Sequence, residues 1–367
     1  VMGEMNPPRK TYVLQRGQYD RPTSVEVTPA LPHILGTPTD GSGQSLPNRM
    51  ALAKALVDSN NPLTARVAVN RYWQMYFGMG IVKTPEDFGS QGEAPSHPDL
   101  LDYLANRFVD SGWDVKAIIR MMVLSQTYQQ SSQATRQQYV SDPDNRLLAR
   151  GSRYRLDAEV LRDQWLAATG LLNTTLYGKS VKPPQPAGLW KIVAMPSSYP
   201  NVFQPDTGEK IYRRSVYTFW KRGLPPPQMT IFDAPTRESC IARRERTNTP
   251  LQALLLMNEE QHFYGAMHFA SRLLDRSDLT EDQKIMTAYE TITCQLPDEK
   301  TVRQLRNARK SFADLYDSDP GAASAMFGDN NDPGISAISD SARQVELASW
   351  TMLTHSILNL DITKTRE

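Results

Sequence analysis

Cysteine is almost missing from this chain of 367 residues, which holds only Cys240 and Cys294. There is no CxxC or CxxCH, which excludes a zinc ribbon, a thioredoxin-type dithiol and covalent haem attachment within the chain. The two cysteines can pair only where the fold brings them together. Histidine is scarce too. None of His33, His97, His262, His268 and His355 forms an HExxH or HxH pair, so no metal site is read. His262 and His268 stand six apart and diverge around a helix instead of sharing a ligand face. Net charge is nearly absent, at +1 from 41 basic and 40 acidic residues, so nothing draws the whole chain toward nucleic acid or an anionic membrane. Any anion site must be local. Apolar runs such as LQALLL fall far short of the roughly 20 residues of a membrane span, and no GxSxG, P-loop or GxGxxG fingerprint occurs. The chain opens on VMGEMNPPRK, without initiator methionine or targeting sequence, as expected of a piece of something longer.

What is present is ordinary globular material, 40% hydrophobic and 22% charged, enough for two or three subdomains. The expected fold is mainly α, a multi-helix globular domain with a small β element and long Pro/Gly-rich loops. Residues 1–47 read as an extended arm with a short strand pair, 48–175 as a helical subdomain, 176–248 as a loop-rich insertion with short strands, and 249–367 as a C-terminal helical subdomain. Asn61-Pro62 followed by Val69, Tyr72, Trp73, Tyr76 and Phe77 reads as a helix ending at Gly78. Ser96 to Asp99 resembles a capping box opening a second helix, Asp114 caps a third, and a fourth runs from Asp157 to Thr169 before Gly170. IYRRSVYTFW reads as a strand because aromatic and β-branched residues suit a pleated surface. Helices resume at Pro250, whose LQALLLM run is expected to be buried from its start, with others near 281–295, 299–316 and 340–357. The last two are separated by a polar loop containing GDNNDPG, which has calcium-friendly oxygens but reads as a turn.

The one concentrated charge feature is RESCIARRERTNTPLQALLLMN, in which Arg237, Arg243, Arg244 and Arg246 precede a helix start set by Thr249, Pro250 and Gln252. Free amides and the positive end of the helix dipole favour anions there, and arginines add bidentate hydrogen bonds to carboxylate, sulfate or phosphate. Arg213 and Arg214 join the candidates if they fold against this loop. Asp233, Glu238 and Glu245 lie in the same segment, so the same residues also read as an ion-paired loop. His97 and Asp99, at a helix start, are secondary candidates, with a capping or packing role as the alternative.

Several blocks together carry a family resemblance: NRYWQMYFGMGIVKTPEDFGSQGEAPSHPDLLDYLANRFVDSGWDVKAIIRMMVLSQTYQQSS, DAPTRESCIARRERTNTPLQALLLMN and ELASWTMLTHSILNLD. They resemble the C-terminal domain of unknown function in planctomycete-type secreted c-type cytochrome proteins, the PSD-one domain family. The resemblance implies an extracytoplasmic protein, with haem c in a neighbouring domain and none in this chain. It brings no catalytic residues to carry over. Similar proteins place an acidic residue after Asn-Leu-Asp, where this chain has Ile362. Three functions are consistent with this: a non-catalytic or partner-binding domain of an exported redox protein, an enzyme or binding module for anionic polysaccharide using the arginine loop, and a structural domain of a cell-surface assembly. The expected partners are the other domains of the parent protein, a redox protein or an acidic polysaccharide.

Overall fold

The computed structural model describes residues 5, 7, 9–28, 30–32, 48–193, 195, 197, 200–327 and 338–366, so His33 and the GDNNDPG turn lie outside the described residues. Among the described residues there are fourteen α-helices and two small antiparallel sheets, with 51% of the structure helical; the class is mainly α. The chain divides into two compact units, Val1–Ser152 and Arg153–Glu367.

In the first unit, β1 (Thr11–Leu14) pairs antiparallel with β2 (Pro22–Val27), the expected strand pair. Asn48 caps α1 (Arg49–Leu56) through the Ala51 amide at 3.0 Å. Asn61 does act as a cap, accepting the amides of Leu63 and Thr64, but the Asn-Pro turn stays outside the helix and α2 begins later (Thr64–Phe77). The Ser96 capping box does not form. Pro98 takes the first helical position of α3 (Pro98–Asp110), leaving His97 at the cap, while the Ser96 hydroxyl donates to the Ile81 carbonyl oxygen. α4 (Val115–Val123) starts from the Asp114 carboxylate, which accepts the Ala117 amide at 3.0 Å. Val69, Trp73, Leu104, Phe108, Ile118 and Met122 make the core of these three helices. A short α5 (Arg136–Ser141) follows.

The second unit opens with β3 (Tyr154–Arg155), paired antiparallel to β4 (Thr365–Arg366). α6 (Ala158–Thr169) ends at Gly170, whose φ of 81° suits glycine. It packs on later helices, so it belongs here, beyond the end of the first unit. The short α7 (Leu189–Val193) and α8 (Pro227–Ile231) punctuate the long loops. α9 (Pro250–Asn258) and α10 (Glu260–Leu274) meet at Glu259, which ends one and caps the other. α11 (Glu281–Thr293), α12 (Glu299–Ser318) and α13 (Pro320–Phe327) follow, and α14 (Ser341–Leu358) runs through the centre, burying Val345, Leu347, Trp350, Leu353 and Ile357.

Three expectations are corrected here. Ile211–Trp220 is not a strand: the backbone makes tight turns at Gly208–Tyr212 and Ser215–Tyr217, with only isolated bridges from Arg213 to Asn173 and from Thr218 to Val181. Its β-prone side chains find no continuous neighbouring strand to pair with. The supposed polar loop contains α13, because Asp319 caps it through the Ala322 amide and Ala323 and Phe327 are buried. α9 is not buried at its start. Only Gln252 and Leu256 are buried, whereas Leu251, Leu254 and Met257 are 55%, 56% and 60% exposed.

Candidate functional site

The candidate arginines are distributed among different partners. Arg244 grips Glu159 with both terminal nitrogens, at 2.6 and 3.2 Å, and Arg246 reaches Asp157 at 3.3 Å and lies over the Tyr154 ring. Burial alone would push the Glu159 carboxyl up, but the hydrogen bond and charge of Arg244 outweigh it and hold that carboxyl below its usual range. Arg213 is buried and donates to the carbonyls of Thr175, Tyr177 and Lys179, and Arg214 pairs with Asp163 at 3.0 Å. Arg237 stacks over Trp220, 4.4 Å from its centroid, and Arg243 is exposed. The Thr249 amide is taken by the Gln252 side-chain oxygen at 3.2 Å. In the other unit, His97 Nδ1 lies 3.0 Å from the Ser96 hydroxyl, and Asp99 is exposed in the first turn of α3.

A different set of side chains converges in the second unit, around a cavity of about 60 Å³. α6 contributes Arg162 and Trp165, α8 Met229, α9 Leu256, and the start of α10 Gln261 and His262, with Thr218 entering from the loops. Glycine makes the close helix crossing: a Cβ on Gly265 would sit 2.9 Å from the Trp165 ring. Trp165 in turn stands edge-on to His262, centroids 5.6 Å apart. The walls are mostly apolar, yet three buried polar atoms on these residues have no hydrogen-bond partner among the described residues: Thr218 Oγ1, Gln261 Nε2 and His262 Nδ1. Each residue is at least nine-tenths buried, at 7%, 6% and 2% exposure. An orphaned buried polar group costs on the order of 1–3 kcal/mol, so three such atoms on residues lining one cavity are an expensive arrangement.

Charge is muted at this site. Burial lowers the His262 imidazole to about 3, with His355 adding to the effect, so the ring is neutral at physiological pH. Burial raises Glu259, and the His262 amide and Arg162 offset this only in part. The Glu259 carboxylate accepts that amide at 2.6 Å. Arg162 is engaged by the carbonyls of Ile211 and Arg213.

Residues 48–308 match PSD1, described as a protein of unknown function (DUF1553). The chain belongs to this family. The match spans every polar residue of the cavity in this PSD1-family chain. No curated protein and no solved structure matches it. Among the described residues no helix is long and apolar enough to cross a membrane, and Cys240 and Cys294 are both free and exposed.

In the sequence His262 stands out only as a residue excluded from a metal pair, and Arg162, Thr218, Glu259 and Gln261 carry no motif. The available signal was local: Gln261-His262 heads a helix whose following turns are apolar, which places two polar side chains at the edge of a core.

Proposed function

We propose that this chain is a non-catalytic binding domain of an exported, cytochrome-associated protein, and that its second unit holds a small uncharged polar group in the cavity beside α6, α8, α9 and α10. The observation that carries this is that Thr218, Gln261 and His262, each with a buried polar atom that has no partner among the described residues, line one apolar-walled cavity. An amide donor, a hydroxyl and a neutral imidazole recognise a group that both donates and accepts hydrogen bonds. Apolar walls with a few convergent polar groups are the usual makeup of a ligand site. The exported setting, with haem c in a neighbouring domain, is supported by the family resemblance. An acidic polysaccharide would draw on the arginine loop, where Arg244 and Arg246 are already held by Glu159 and Asp157, so the cavity is the better supported site.

The test is an NMR titration with acetamide and glycerol. The Gln261 side-chain amide and the His262 ring resonances are expected to shift saturably. Gln261→Met should abolish the shift and raise the melting temperature of the free chain, because it removes an orphaned donor. No shift in the wild type, or an unchanged shift in the variant, overturns the reading.

A further inference from the structure

Beside the cavity lies a much wider cleft of about 1360 Å³, and Pro184 and Gln261 line both. Sites for single small molecules run to about 1,000 Å³, so this cleft suits an extended ligand. Tyr212 and Tyr264 stand in its wall, both half-buried, with rings 6.1 Å apart and within 9° of parallel. Asp206, Glu209 and Glu260 also line it, and among the described residues no lysine or arginine does. Asp206 uses one carboxylate oxygen on the Lys182 amide at 2.8 Å. His268 lines the cleft as well, its Nδ1 donating to the Thr169 carbonyl at 3.1 Å.

Flat aromatic rings offer a face to apolar C–H groups, and carboxylates accept charge-assisted hydrogen bonds from hydroxyls. A pyranose ring carries both features, with axial C–H bonds on its faces and hydroxyls around its edge. Sulfated or uronic chains would bring negative charge against three carboxylates with no lysine or arginine among the described lining residues, which costs binding. We infer that the cleft takes a neutral oligosaccharide, one of whose substituents enters the cavity past Gln261. This rests on the cavity reading above and adds the ligand class to it.

The experiment uses calorimetry and NMR with hexasaccharides of neutral β-linked glucose, mannose and N-acetylglucosamine, beside a uronic and a glucosamine hexamer. A neutral hexamer is expected to bind and to shift the His262 ring resonances. Tyr212→Ala and Tyr264→Ala should each weaken it roughly tenfold or more, as removal of a central aromatic contact does. Tyr264→Phe should bind normally. Both alanine variants should still bind acetamide in the cavity, which shows that they are folded. Failure of every neutral hexamer while acetamide still binds overturns the saccharide inference and leaves the cavity reading standing. Binding through the tyrosines that leaves the His262 resonances unmoved overturns the cavity's part. Tighter binding of the uronic or the glucosamine chain overturns the assignment of a neutral ligand.

Discussion

His262 on α10 and His355 on α14 meet inside the second unit, ring centroids 5.4 Å apart and planes at 63°. His355 Nε2 donates to the Leu256 carbonyl oxygen at 3.2 Å, which ties α14 to α9. Burial lowers the pKa of both imidazoles, His262 to about 3. Below the ordinary histidine value of 6.5 the unfolded chain therefore takes up protons that the folded chain refuses. Stability from this pair is full above pH 6.5 and falls as the pH drops below it, by about 1.4 kcal/mol per pH unit per histidine at most, with the His262 part lost as the pH approaches about 3. Urea unfolding at pH 7 and pH 5 should show the loss, and His262→Phe should flatten it. An acid slope unchanged by that substitution would show that the titration lies elsewhere.

Glu259 gives the opposite slope. Its folded-state pKa is raised by burial, so its contribution is fully present below its ordinary value of 4.5 and is lost as the pH rises through the folded value. Glu259→Gln can still accept the His262 amide and cannot ionise. The variant should gain stability relative to the wild type at pH 8 and less at pH 5. A uniform offset at both would count against a buried acid.

Arg244 and Glu159 form the best-matched ion pair of the arginine segment, both partly buried. Arg244→Gln leaves a half-buried carboxylate without its bidentate partner, and the expected loss is about 1–3 kcal/mol. Adding Glu159→Gln should recover most of that loss, since the double variant no longer buries a lone charge. Additive losses in the double variant would show that the two side chains act independently.

Two leucines should respond very differently to truncation. Leu353 on α14 is fully buried, and Leu353→Ala should cost about 2–5 kcal/mol. Leu254→Ala should stay within about 0.5 kcal/mol, as substitutions away from the core do, because that side chain is 56% exposed. Equal costs in denaturant unfolding would place Leu254 in a contact that the isolated chain does not show.

Much of the fold was legible in short windows. The Asp157 start and Gly170 end of α6 were readable, as were the Asp114 cap and the Thr249-Pro250-Leu251-Gln252 entry to α9, because caps, fixed φ angles and helical periods depend on residues within about four positions. Side-chain placement on α9 was not: a helix apolar nearly all round has no period to tell its buried Leu256 from its exposed Leu254. The strand expected at Ile211–Trp220 failed for a related reason, since β-propensity becomes a strand only where a neighbour supplies the pairing backbone. Both readings of the arginine segment were open in the sequence, and only the folded chain sets Arg244 and Arg246 against carboxylates at the start of α6. The cavity was beyond local reasoning altogether. Arg162, Thr218 and His262 are brought together by helix packing, and whether a buried Nδ1 or Oγ1 has a partner depends on every atom around it in space. Helices such as α4, α6 and α9, with their caps and stops, were fixed by neighbouring residues, because capping and period are local; only tertiary packing decided which polar atoms have no partner among the described residues.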